Sequence, residues 1–381
     1  MSTPPVLSKA TGTCSEYVSA CIGDTQTILF YTSLVLIAFG MCGNFSLASF
    51  MIEQMPTEAG GHVEAPPKEI ASFILSVFAM TLLPGLWVFA LSYIKNWSIL
   101  FGIPAICALV STLLFLSGTS SYIRVKPQRN SLHRALASKI TLRMVPVLMI
   151  VIVCGVVLGI GNTFFLEQLN HMNHMLGHLK FPFTLFLYWY YISSSTNFYN
   201  TLRSILGETR RKYAAPVGIG IGMILSILCC ITAAKVEVRR IDVIERHGLV
   251  EKPYDTIPMT IFWLVPQFVL LGAFDGFARQ GFQYFFCDQV PVSIKAYMNS
   301  FVEAVFGLGI ICSILFVYVT DKVSEKGGRQ GWFQYTLNKS RLDNYYWTLA
   351  ALSSITLVLF LVIACCHSYK DGEIEDEQLE V

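Results

Sequence analysis

Three ionisable residues stand inside long apolar runs of this sequence: Asp275 and Arg279 in LLGAFDGFARQGF, and Glu303 in NSFVEAVFGLGII. An ionised side chain at the centre of a bilayer costs about 2.5–3.5 kcal/mol on insertion scales, so each of these must face a partner or water. Asp275 and Arg279 are four residues apart, on one face of a helix, and that spacing predicts a direct ion pair. Gln267, Asn162 and Thr163 are the uncharged polar residues expected nearest a cavity, with a hydrogen bond to a neighbouring helix as the competing reading. His171, His174 and His178 have a spacing that aligns imidazoles on a helix face, as a divalent ion requires. No Cys or acid joins them at ligand spacing, so the sequence predicts a solvated connection and no metal. Asp242, Glu245 and Arg246 sit together in a polar stretch where charges are solvated. Phe186, Tyr188, Trp189, Tyr190 and Tyr191 form an aromatic group of the kind that anchors at a membrane interface. Nucleophile elbows, phosphate loops and paired catalytic carboxylates do not occur, so enzymatic chemistry has no support and no cofactor is expected.

The elements that must position these residues follow from composition. The chain has 381 residues, 54% hydrophobic and only 14% charged, roughly half the charge of a soluble domain. Its apolar residues fall in blocks of the length needed to cross about 30 Å of hydrocarbon as helix. Nine such blocks run over residues 26–51, 70–94, 97–116, 144–166, 181–206, 213–234, 257–286, 297–319 and 346–366. The expected fold is an all-α multi-pass membrane protein whose principal partner is the lipid bilayer. Ser193, Ser194, Ser195, Thr196 and Asn197 interrupt the fifth block, which predicts an interior position for it. A net charge of +2 without a basic cluster gives no reason to expect nucleic acid. The cysteines sit mostly inside apolar blocks and read as buried thiols.

Residues 123–143 form a basic linker, with Arg124, Lys126, Arg129, Arg134, Lys139 and Arg143 and no acid, which predicts a cytoplasmic connection. It divides a polar start (1–25) and three spans (26–122) from a six-span bundle (144–369) and an acidic tail (370–381). That tail is expected to be solvated and free of helix. With the linker inside, Lys and Arg divide 13 against 13 between the two sides, so orientation rests on the linker. Odd parity then puts the N-terminus and the loop 321–341 outside, where Asn338, Lys339 and Ser340 form a glycosylation sequon.

Several longer pieces carry more information: IPMTIFWLVPQFVLLGAFDGF (257–277), FFCDQVP (285–291), GWFQYTLNKSRLDNYYWTLAALS (331–353), and earlier LFYTSLVLIAFG (29–40) and FGIPA (101–105) followed by SGT (117–119). By these pieces the sequence resembles the plant nitrate and peptide transporter family, proton-dependent oligopeptide transporters of the major facilitator superfamily. The resemblance implies two six-helix bundles that rock around a shared site, with protons as coupling ion and a small solute as substrate, in the plasma or vacuolar membrane. The nine spans would correspond to helices four to twelve of an incomplete major facilitator fold, an N-terminally truncated member. The family's Glu-x-x-Glu-Arg or Lys cluster is on no span of this sequence, from which transport is expected to be impaired. The alternatives are a non-transporting protein that associates with and regulates a full-length relative, or a truncated gene product. In the family an acidic residue stands at the Asp275 position near the cavity, so a substrate or gating role and a structural ion pair both remain open for it. The family is usually uncharged at the Glu303 position, which implies either a new cavity contact or relaxed constraint. The resemblance puts the three histidines in an extracellular connection. Nitrate-selective members carry a cavity histidine on the helix matching 144–166, and this sequence has none there.

Overall fold

The computed structural model describes residues 28, 31–40, 94, 97–118, 139–176, 179–182, 184–195, 198–206, 213–253, 255–290, 292–326, 328 and 330–379. The expected span at 70–94 and most of the basic linker lie outside them. The chain divides into two compact units, Met1–Pro127 and Gln128–Val381. The first holds two described apolar helices, α1 (Tyr31–Gly40) and α2 (Trp97–Ser117). Their surfaces are rich in exposed Leu and Ile, such as Leu36, Ile106, Leu109 and Leu113, the pattern of a helix solvated by lipid rather than water.

The second unit is a bundle: α3 (Lys139–Leu158), α4 (Phe164–His171), α5 (Thr184–Ser195), α6 (Phe198–Leu206), α7 (Ala214–Arg246), α8 (Val265–Gln289), α9 (Val292–Ser324) and α10 (Leu342–Leu379). Two small pairings close one end. β1 (Met172–Asn173) runs parallel to β4 (Ile257–Thr260), and β2 (Met175–Leu176) runs antiparallel to β3 (Leu179–Lys180). Among the described residues, Ala214–Arg246, Ile261–Gln289, Met298–Ser324 and Leu342–Ala364 are long and apolar enough to cross a membrane. The protein is an all-α multi-pass membrane protein.

Three blocks differ from a continuous helix. The block at 144–166 breaks after Leu158, and residues 159–163 form a turn before α4. The block at 181–206 is two helices, α5 and α6. The block at 257–286 opens as β4 and a 3-10 turn at Ile261–Leu264, with Pro266 in the first turn of α8, where its missing N–H costs nothing. In the other direction, the acidic tail is helical, because α10 continues to Leu379. Its Glu, Gln and Leu are good helix formers that extend a helix already nucleated, which composition alone does not register.

Small residues set the packing. A methyl added at Gly272 would sit 2.7 Å from the Ser193 Cβ, and one at Gly276 would sit 2.7 Å from the Ser194 carbonyl oxygen. The backbones of α5 and α8 therefore touch along a Gly-x-x-x-Gly stripe, which accounts for the polar serines in an otherwise apolar block. Gly155 on α3 meets Gly309 on α9 in the same manner, at 2.8 Å from its Cα. α7 lies between α8 and α10 and buries Cys229, Cys230, Ala233 and Ala234 completely.

α7 ends in a Schellman turn. Gly248 takes φ +63, its N–H bonds to the Glu245 carbonyl at 3.2 Å, and the Leu249 N–H reaches the Ile244 carbonyl at 2.9 Å. The loop 321–341 is equally well tied. Asp321 accepts from the Phe333 N–H at 3.2 Å, Ser324 from the Trp332 N–H at 3.0 Å, and Phe333 stacks on Phe164 and meets Tyr345 edge to face. Arg341 then donates to both oxygens of Asp343 at 2.9 and 2.8 Å, a pairing that raises its guanidinium above the ordinary value. It also puts an acid in the first turn of α10, where the helix dipole favours it.

Candidate substrate site

α8 carries two polar positions on its buried side, Gln267 and Asp275, eight residues and so about 12 Å apart along the axis. Around Asp275 four side chains from three helices meet. The Arg279 Nε donates to Asp275 Oδ1 at 2.5 Å, one turn along α8. The Tyr190 hydroxyl of α5 donates to Asp275 Oδ2 at 2.8 Å. Arg279 Nη1 donates to Glu303 of α9, and the guanidinium carbon lies 5.0 Å from the Phe306 ring centre, a cation–π distance. The ion pair predicted from spacing is present, and Glu303 completes it from another helix.

The exposures within this group are unequal. The Asp275 side chain is 8% exposed with both oxygens engaged, whereas Arg279 is 29% and Glu303 is 37% exposed. Asp275 is the anchored member and Glu303 the accessible one. Two carboxylates share one guanidinium, so the group carries a formal charge of −1. Tyr190 enters it instead of the membrane interface, and Phe186 from the same aromatic group is buried against Phe268. Tyr191, by contrast, is exposed.

Around Gln267 lies a second network that the sequence reading passed over. Glu237 and Arg240, three residues apart on α7, are fully buried and pair through two contacts of 2.8 and 2.6 Å. Gln168 of α4 donates to Glu237 at 2.5 Å and accepts from Gln267 at 3.2 Å. Arg240 also donates to the Leu337 carbonyl at 3.0 Å and to Asn338 Oδ1 at 3.4 Å. The network thus ties α4, α7, α8 and the loop before α10 at one end of the bundle. The sequence signal was available: VEVRR directly follows an apolar run, and an acid three residues before a base is a helical pair. Solvated neighbours masked it, because Asp242 and Arg246 on the next turns are exposed as expected, and there they pair with each other.

Other predicted residues fall elsewhere. Asn162 and Thr163 are exposed in the turn after α3 rather than on the helix, and the Thr163 hydroxyl bonds to the Gly159 carbonyl at 2.8 Å. The structure brings neither of them into the two networks. His171 pairs with Glu167 at 3.0 Å, an acid one turn back that the ligand-spacing argument did not count. His174 meets the Phe181 carbonyl at 3.3 Å, and His178 lies outside the described residues. Among the described residues no group of three His, Cys, Asp or Glu could hold a metal ion. Asn338, read from sequence as a glycan acceptor, is 6% exposed. Its Nδ2 donates to the Leu249 and Lys252 carbonyls at 3.0 and 3.5 Å, the nitrogen to which a glycan would have to be joined. The Gly248 turn is what aims those carbonyls at it.

Comparison with known proteins agrees with the architecture. A family model described as the POT family, labelled PTR2, matches residues 3–138 and 135–333. Protein NRT1/PTR FAMILY 5.5 of Arabidopsis thaliana is 28% identical, over 94% of this chain and 82% of its own length. Protein NRT1/PTR FAMILY 5.10 of the same plant is 28% identical over 92% of this chain and 74% of its own. Protein NRT1/PTR FAMILY 5.16 is 39% identical over a shorter stretch, 40% of this chain and 27% of its own length.

Proposed function

Because the chain belongs to the POT family, we propose that it is a proton-coupled membrane transporter of a small solute, of the peptide or nitrate class. The observation that carries this reading is the Tyr190, Asp275, Arg279 and Glu303 group, formed by three helices within an apolar bundle. Charged groups at such depth are costly and persist where they serve a pathway. This group supplies titratable carboxylates within the bundle itself. Asp275 holds Arg279 in place, Arg279 offers the fork that recognises planar anionic groups, and Glu303 faces the accessible side. Gln267 belongs to the frame that fixes the end of α8.

Uptake tests this reading. Vesicles containing the purified chain, loaded at pH 7.5, are placed at pH 5.5 or 7.5 with labelled nitrate or a labelled dipeptide. The expected result is accumulation of at least one solute that rises with external acidity and collapses with a protonophore. Equal, protonophore-insensitive uptake at both pH values, or none of either solute, refutes proton-coupled transport of this class.

A further inference from the structure

We infer that Glu303 is a proton-operated gate on an anion site whose binding group is Arg279. The inference rests on the transport reading and specifies how proton and solute would be linked within it. Arg279 has five N–H groups. Nε serves Asp275 and one N–H of Nη1 serves Glu303, and among the described residues Nη2 has no hydrogen-bond partner. The guanidinium lies 5.0 Å from the Phe306 ring centre, and the Arg279 side chain is 29% exposed. It is a cation held by Asp275 and Glu303, on a side chain that is partly exposed.

In the ionised state the site repels the ligand it is shaped for. The carboxylates of Asp275 and Glu303 outnumber the guanidinium, and Glu303 holds Nη1, so an incoming anion meets an excess negative charge and an occupied donor. Only one of the two carboxylates is free to change this. Asp275 is 8% exposed and bonded through both oxygens, to Arg279 Nε and to the Tyr190 hydroxyl. Glu303 is 37% exposed, and Arg279 is its one ionic partner among the described residues.

The other groups facing Glu303 leave this contrast intact. α8 brings Asp275 and Arg279, with Tyr284, Cys287 and Asp288 further along the same helix, and α5 brings Tyr190. α3, packed along α9, brings Cys154 and no acid or base between Met144 and Leu158.

A proton taken by the Glu303 carboxylate forms an O–H bond, brings the site to zero net charge and releases Nη1. A planar monoanion, nitrate or a carboxylate, then takes the freed N–H together with Nη2 in a two-point contact. Loss of the proton returns Glu303 to Nη1 and expels the anion. One proton and one anion therefore bind together, and by linkage each raises the affinity for the other equally.

Binding of sodium nitrate and sodium acetate to the purified full chain in lipid nanodiscs, at pH 5.5 and 7.5 and up to 100 mM, tests the gate. The parent protein is expected to bind at least one of them at least tenfold more tightly at pH 5.5. Glu303→Gln removes the titrating group and is expected to bind alike at both pH values, with roughly the parent's affinity at pH 5.5. Arg279→Lys keeps a cation beside Asp275 but loses the fork, and is expected to bind at least tenfold more weakly at pH 5.5. Binding of nitrate alone assigns the site to an inorganic anion, of acetate alone to a carboxylate terminus, and of both to planar monoanions generally. Pronounced pH dependence retained in Glu303→Gln, equal parent affinities at the two pH values, or no binding of either salt overturns the gate. Acid-stimulated uptake by Glu303→Gln vesicles, alongside any of those results, leaves the transport reading standing without it.

Discussion

Replacing Arg240 by Met should be among the most damaging single changes in the bundle. Arg240 and Glu237 are fully buried, and the two contacts of 2.8 and 2.6 Å set their charges against each other. Without Arg240, Glu237 retains, among the described residues, only the Gln168 amide, and the Leu337 carbonyl and Asn338 Oδ1 lose a charged donor. Breaking a buried pair from one side costs about 3–5 kcal/mol, and Glu237→Met should cost about as much. The double variant Glu237→Met with Arg240→Met removes both charges together. It should melt no lower than either single variant, so a coupling of about 3–5 kcal/mol separates it from the sum of the two. With about 2–4 °C per kcal/mol for a unit of this size, each single variant should lose about 6–20 °C. The assay is the temperature at which half of the monodisperse peak is lost on size-exclusion chromatography in detergent. If the two single shifts add within a degree or two in the double variant, or if Arg240→Met melts with the parent, the network does not hold these elements together.

Other predictions read other parts of the molecule. Gly276→Leu should abolish folded yield, because its first carbon already meets the Ser194 carbonyl at 2.7 Å, whereas Gly220→Ala, with nothing within 4 Å, should be neutral or stabilising by up to about 1 kcal/mol; comparable monodisperse yields for the two would contradict the α5–α8 contact. Asn338→Ala should cost about 1–3 kcal/mol through the unpaired Leu249 carbonyl and weakened Arg240 contact. Asn338→Gln should leave the protein's mobility shift on glycosidase treatment unchanged, since Nδ2 of Asn338 is engaged. Tyr190→Phe removes the donor to Asp275 Oδ2 and should cost about 1–3 kcal/mol, read as a lowered melting midpoint in the same chromatographic assay.

What could be read from sequence divides along physical lines. Asp275 and Arg279 were legible because ion pairing at four-residue spacing is local, and because charge in an apolar run has few acceptable explanations. Glu303 was visible as an anomaly but not as their partner, since 24 residues separate it from Arg279 and only the packing of α9 on α8 brings them together. Glu237 and Arg240 were hidden by context: the same helix carries a solvated pair one turn later, and the groups that bury the inner pair come from α4 and the loop before α10. Block hydropathy located the four long apolar helices of the described residues, yet it read through the breaks after Leu158 and before Pro266. Those breaks are made by turn geometry and backbone pairing with β1 rather than by any change in apolarity. Asn338 shows the opposite case, a motif legible as spelling whose amide is engaged inside the fold.

The long reach of the Arg240 contacts has a consequence for biogenesis. Gln168 and Glu237 are already synthesised when Arg240 leaves the ribosome, but Asn338 follows 98 residues later. At about 5–20 residues per second the guanidinium waits for about 5–20 s before its last acceptors exist. During that interval α7 has no α10 to pack against, and its buried pair stands open at one end. The Gly248 turn, formed from residues 244–249 alone, is the first piece of the receiving surface to be ready.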